Sequence, residues 1–160
     1  MRKASCLIVG VIGIATLGVA TPQAKSPHTT PSIVGKWEIA MKGPQTTSGF
    51  TFQKDGTYSR FTTVTRPGEK YSETTTAYGT YRLKGTAMTI HLGSVVFTSS
   101  DPHRKRAMEH MTTSVQRSVS LAKDLTGNLA WKDADNAVLT LNPAKGRKEA
   151  PVYISIKRKK

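Results

Sequence analysis

Cysteine is almost absent. Cys6 is the only one in 160 residues, so beyond the first few positions the chain has no thiol for a disulfide, a redox pair or a cysteine-held metal. Acid is scarce too, with 10 aspartates and glutamates against 24 lysines and arginines. The acids are dispersed, and several occupy turn positions where local backbone hydrogen bonding accounts for them. Asp133 and Asp135 lack the glycine and closing glutamate of a calcium loop. No Gly-x-Ser-x-Gly elbow, HExxH, phosphate-binding glycine loop or paired-cysteine motif occurs. His103 and His110, with Glu109 beside them, would need further ligands to hold a metal, and a surface pair is the simpler reading. These absences point away from catalysis: no catalytic residue, metal or cofactor is expected.

Long apolar runs are also missing, with one exception at the start. Arg2 and Lys3 precede an uncharged stretch from about Cys6 to Val19, and small residues and Pro22 follow. That is the layout of a secretory signal. The run falls short of the roughly 20 apolar residues that cross a bilayer and is broken by glycines, so cleavage after Ala20 is expected rather than anchoring. A lipid anchor needs a cysteine after the apolar run, and Cys6 comes before it. The expected organisation is a signal at 1–20, a proline-containing flexible leader at 21–31 and one domain at 32–160, delivered to the periplasm or the cell exterior. No transmembrane segment remains after cleavage, and a monomer is expected. Losing Arg2 and Lys3 takes the net charge from +14 to +12. Such a charge favours anionic envelope components or acidic proteins.

Strand signals dominate what is present. Short runs of Val, Ile, Thr, Tyr and Phe place strands near 33–41, 49–54, 57–65, 71–78, 79–84, 87–92 and 94–98, then near 127–132, 137–142 and 151–158. Asp55-Gly56 is a strong hairpin signal, Lys84-Gly85-Thr86 a second turn, and Arg66-Pro67-Gly68 a longer loop. These connections leave no room for crossover helices, so the strands run antiparallel. Alternation puts Ile33, Trp37 and Ile39 on one face, as it does Phe50 with Phe52, Tyr81 with Leu83, and Met88 with Ile90 and Leu92. Asp101-Pro102 opens a helix over 102–123 whose stripe is Met108, Met111, Val115, Val119 and Ala122. The pattern is therefore all-β, an antiparallel sandwich or barrel of about eight to ten strands, with one helix before the last strands.

Gly35-Lys36-Trp37, then FTFQKDGTYS, GTYRLKGTAMTIHL and a final strand ending Ile156-Lys157-Arg158, resembles the small bacterial lipocalin-like domains of the lipocalin and calycin group. The resemblance implies an antiparallel up-and-down β-barrel in which Trp37 closes one end and packs under Arg158 from the last strand. A helix this far before the final strands departs from the usual lipocalin order and leaves open whether 102–123 is a packed element or a lid.

Two functions fit. In the first, the barrel carries a small apolar or amphipathic ligand, with Phe50, Phe52, Tyr81, Met88 and Ile90 as inward candidates at its open end, and Met108 and Met111 joining them if the helix is a lid. Core packing is the commoner use of each of these side chains. In the second, the barrel is solid and its basic outer face meets an envelope polyanion or an acidic protein. Nucleic acid is disfavoured, because no basic strand interleaves outward aromatics; Tyr58, Arg60 and Arg82 come nearest.

Overall fold

The computed structural model describes residues 31–41, 45–143 and 149–160. The proposed signal, and the leader except Pro31, lie outside the described residues. Among the described residues eight strands occur: β1 Gly35–Ile39, β2 Thr46–Phe52, β3 Thr57–Thr65, β4 Ser72–Lys84, β5 Ala87–Ser99, β6 Leu125–Trp131, β7 Asn136–Leu141 and β8 Val152–Arg158. Each pairs antiparallel with the next, and β8 returns to pair with β1, so the sheet closes into a barrel. A single 3-10 turn, Pro102–Arg104, leads into helix α1, Lys105–Ser120, between β5 and β6. No helix among the described residues is long and apolar enough to cross a membrane.

The turn residues behave as their chemistry dictates. Gly56 adopts φ +83° between β2 and β3, and the Asp55 carboxylate accepts the Thr57 N–H at 2.8 Å and the Thr57 hydroxyl at 2.7 Å. Asp101 accepts the His103 N–H at 2.9 Å, capping the turn in which Pro102 stands first.

Two apparent breaks are bends within continuous strands. The segments read as 71–78 and 79–84 form one strand, β4, and those read as 87–92 and 94–98 form one strand, β5. Pairing steps from Tyr78 opposite Ser94 to Gly79 opposite Leu92, so Gly93 is the extra residue of a bulge. Gly79 stands where a side chain would strike the His91 carbonyl and approach the Tyr58 ring to 2.9 Å. Glycine here marks close packing and not a turn.

The length of β5 creates the place for the helix. Only Ala87–Ile90 pair with β6, which leaves the upper edge of β5 without a strand partner. Helix α1 packs there: the Phe97 N–H donates to Thr112 Oγ1 at 2.9 Å, and Gln116 Nε2 donates to the Gly93 carbonyl at 3.1 Å. Covering a free edge satisfies backbone groups that would otherwise invite another strand. Met108 and Val119 are the buried residues of α1, whereas Met111 is exposed. Arg104 pairs with Glu73 on β4, and Arg66 stands 3.8 Å from the same carboxylate. Beyond the helix, Asp124 meets His91 Nδ1 at 2.8 Å.

Candidate functional site

The barrel has a plugged end and an open end. At the plugged end the Trp37 indole N–H donates to the Ile33 carbonyl at 2.6 Å, and the Arg158 guanidinium stacks 4.4 Å from the indole centroid. Arg158 also donates to the carbonyls of Val34 at 2.9 Å and Ser32 at 2.5 Å, and lies 3.4 Å from Asp135. Gly35, at φ +130°, admits this approach, since an added Cβ would sit 2.8 Å from Arg158 Nη1. The Gly-x-Trp sequence and Arg158 form one physical unit, and Trp131 packs beside it at 5.8 Å.

Residues directly opposite in an antiparallel ladder share a face, so the register identifies the inner wall. Phe50, Arg60, Ala77 and Val95 form one inward row. On the plugged side of that row the bore is filled: Phe52, Met88, Leu129 and Leu139 are at most 2 % exposed. On the open side the inner wall changes character. Thr62, Thr75 and Phe97 are only partly buried, and Val64 is exposed. Ser48, Thr62 and Thr75 give the β2–β4 side a hydroxyl lining, with Ser48 Oγ 2.9 Å from Thr62 Oγ1. The β6–β8 side is apolar, because the inward positions nearest the mouth are Leu125, Leu141 and Val152. These three, with Leu121 and Ala122 after the helix, line a hollow of 610 Å³ bordered by Lys123.

Exposed apolar side chains gather at this end. Met41, Val64, Tyr71, Leu121, Leu125, Val152 and Tyr153 all lie in its loops or in the strand ends that meet them, and Leu121 is 79 % exposed. Polar rims are the ordinary finish of a barrel, so apolar residues gathered around one mouth are an informative exception.

The residues singled out from sequence divide into groups. Phe50, Phe52, Met88 and Ile90 come together in one buried cluster, with Tyr81 packed against it. They lie toward the plugged end and not at the open end where the sequence had placed them. The physical reason is strand length: with β4 and β5 each continuous, Tyr81, Met88 and Ile90 fall in their halves nearest the β4–β5 turn. Phe52 stacks on Phe50 at 5.4 Å and meets Tyr81 edge-on at 4.9 Å, and the Tyr81 hydroxyl donates to the Gln53 carbonyl at 2.8 Å. Met108 and Met111 are separate, on α1. Tyr58 and Arg60 prove to be inward-facing: Tyr58 is buried and Arg60 lies 5.6 Å above the Phe50 ring, so neither belongs to an outward nucleic-acid surface. Burial raises the Tyr58 phenol above its ordinary value, and the Arg60 charge partly opposes that rise.

Sequence reading missed Arg60, Leu125, Leu141 and Val152 as residues of the mouth. Inward parity of Val152 was legible from β8. The position of Arg60 over Phe50 required the β2–β3 register, for which the Asp55-Gly56 turn was the available signal.

Fold and site together define an eight-stranded antiparallel barrel whose bore is filled at one end and accessible at the other. In comparisons with known proteins, the sequence matches no protein-family model and no curated protein.

Proposed function

We propose that this chain is an exported, lipocalin-like binding protein that holds a small amphipathic molecule in the open half of its barrel. One observation carries the reading: the inner wall changes at the Phe50 row from close-packed to accessible, and the accessible part is apolar on one side and hydroxyl-lined on the other. A volume of several hundred Å³ bounded by apolar side chains with a few polar groups is the ordinary form of a small-molecule site. The filled half supplies stability, which leaves the open half free for a ligand. Catalysis has no part in this reading.

Native mass spectrometry of the protein purified from its own host, followed by solvent extraction, is expected to reveal a bound small molecule. A solvatochromic apolar probe is expected to bind and to lose about ten-fold in affinity when Leu125 and Val152 are both replaced by asparagine, because each withdraws apolar surface from the site. Absence of both co-purified ligand and probe binding, together with retention on heparin at low salt, would overturn the proposal in favour of a solid barrel acting through its basic outer face.

A further inference from the structure

Charge is spread unevenly over the outside of the barrel. On the outward positions of β2–β5 the only lysines and arginines are Arg82 and Lys84, beside the β4–β5 turn, and no aspartate or glutamate stands there, in a chain with 24 basic and 10 acidic residues. Lys36, Glu38 and Lys157, outward on β1 and β8, show that strands of this barrel accept charge. Hydroxyls take its place on β2–β5. Thr47, Thr63, Thr74 and Thr98 form one outward row across all four strands, with Thr63 Oγ1 2.8 Å from Thr74 Oγ1. Two rings interrupt the hydroxyls. Phe61, in the next row, stands opposite Gly49, where an added Cβ would come within 2.9 Å of its ring, so the ring extends over β2. Tyr78 is its diagonal neighbour on β4 and is 46 % exposed. Phe61 lines two adjoining hollows of 350 and 270 Å³ that share Glu38 and Lys159, with Thr47 bordering the first and Thr51 the second. Lys159 Nζ lies 3.3 Å from Glu38 Oε1.

We propose that the outer face of β2–β4, centred on Phe61 and Tyr78, is a binding surface for an uncharged polysaccharide. This site is separate from the mouth of the barrel and does not rest on the reading of the bore. The scarcity of charge selects the class of partner. A polyanion or an anionic lipid surface needs cations, and here these stand only at the β1 edge, where Lys159 is already beside Glu38. An apolar partner would strip water from rows of hydroxyls and offer them no new hydrogen bonds. A sugar chain meets both conditions. Its hydroxyls take the place of water on the threonines and on the Glu38–Lys159 pair, and the C–H face of each sugar lies against an aromatic ring, whose π face carries partial negative charge. Because such hydrogen bonds only replace others, each contributes little, and affinity comes from several sugar units held at once. Phe61 and Tyr78, roughly 7–8 Å apart as diagonal neighbours, suit neighbouring units of one chain.

The test is sedimentation with insoluble chitin and cellulose, and affinity electrophoresis in gels containing laminarin or xyloglucan. The unaltered protein is expected to be retained by at least one of these four glycans, and raising the salt should not release it, since no charge pair carries the contact. Tyr78→Ala, at an exposed position, should weaken retention about three- to ten-fold with the melting temperature unchanged, the size of one aromatic contact. Thr76→Lys, opposite Phe61 and two residues before Tyr78, places a charge between the two rings and should weaken retention at least as much. Retention by none of the four glycans overturns the proposal. So does retention that salt abolishes and that Tyr78→Ala leaves unmoved, which assigns the binding to the basic parts of the surface. Tyr78→Ala decides the matter even if a change at Phe61 fails to fold.

Discussion

Arg158 and Trp37 show how much one side-chain pair accomplishes. The guanidinium covers the indole, meets two backbone carbonyls of the segment before β1 and approaches Asp135 from the β6–β7 turn, so it fastens three parts of the chain at one point. Truncating Trp37 to alanine removes a fully buried indole from the plugged end and should cost about 3–5 kcal/mol. A double-mutant cycle with Arg158→Ala should show a coupling of about 0.5–2 kcal/mol, measured by urea unfolding. Additive effects would mean that the stack contributes nothing beyond its separate contacts. The pair was legible from the sequence through the Gly-x-Trp resemblance and strand parity. Its carbonyl partners were not, because the segment before β1 carries no motif.

At the scale of elements, glycine and strand length decide the architecture. Gly127 faces inward on β6, where an added Cβ would strike the Thr140 carbonyl and come within 3.3 Å of Leu141 Cα. Gly127→Ala should therefore destabilise the barrel by about 1–3 kcal/mol through overpacking, read as a lowered denaturation midpoint with unchanged slope. A helical segment was evident from Asp101-Pro102 and its apolar stripe, but not where it would pack. That depended on β5 outlasting β6, and Gly93 disguised the length of β5 as two short strands. The consequence reaches the methionines: α1 lies along the β5 edge, so Met108 turns inward and is buried while Met111, three residues on, remains exposed.

For the whole molecule, charge and pH set the limits of stability. Asp55 is held below the ordinary aspartate value of 3.8, first by the Thr57 hydroxyl and then by the Thr57 N–H. Asp133 is held below it by the Asp135 N–H and then by the Asn136 side chain. Below 3.8 the unfolded chain binds more protons at these sites, so their contribution is complete above that pH and is lost as acid carries pH through the lowered values. Tyr58 and Tyr81 lie above the ordinary 10.0, chiefly through burial. Above that pH the unfolded tyrosines release protons first, so stability declines as pH rises through the folded values. The melting temperature measured from about pH 2 to about pH 12 should show a plateau with a fall at each end, the acid fall deepened by the repulsion of a strongly basic chain. Tyr58→Phe should shallow the alkaline fall, and an unchanged alkaline limb would assign it to other groups.

The sequence alone determined the antiparallel all-β class, the turns, the capped helix and the sides on which most strand residues lie. These depend on local chemistry: period-two alternation, glycine at positive φ, and an aspartate capping a backbone N–H. Tertiary structure alone decided that ten apparent strands are eight, that the helix covers the edge of β5, and that the bore is filled below the Phe50 row and accessible above it. Such outcomes follow from register and closure, which bring residues far apart in the chain to one level of the barrel. Whether Arg60 faces a filled core or an open mouth is a property of that level, and no stretch of sequence around it contains the answer.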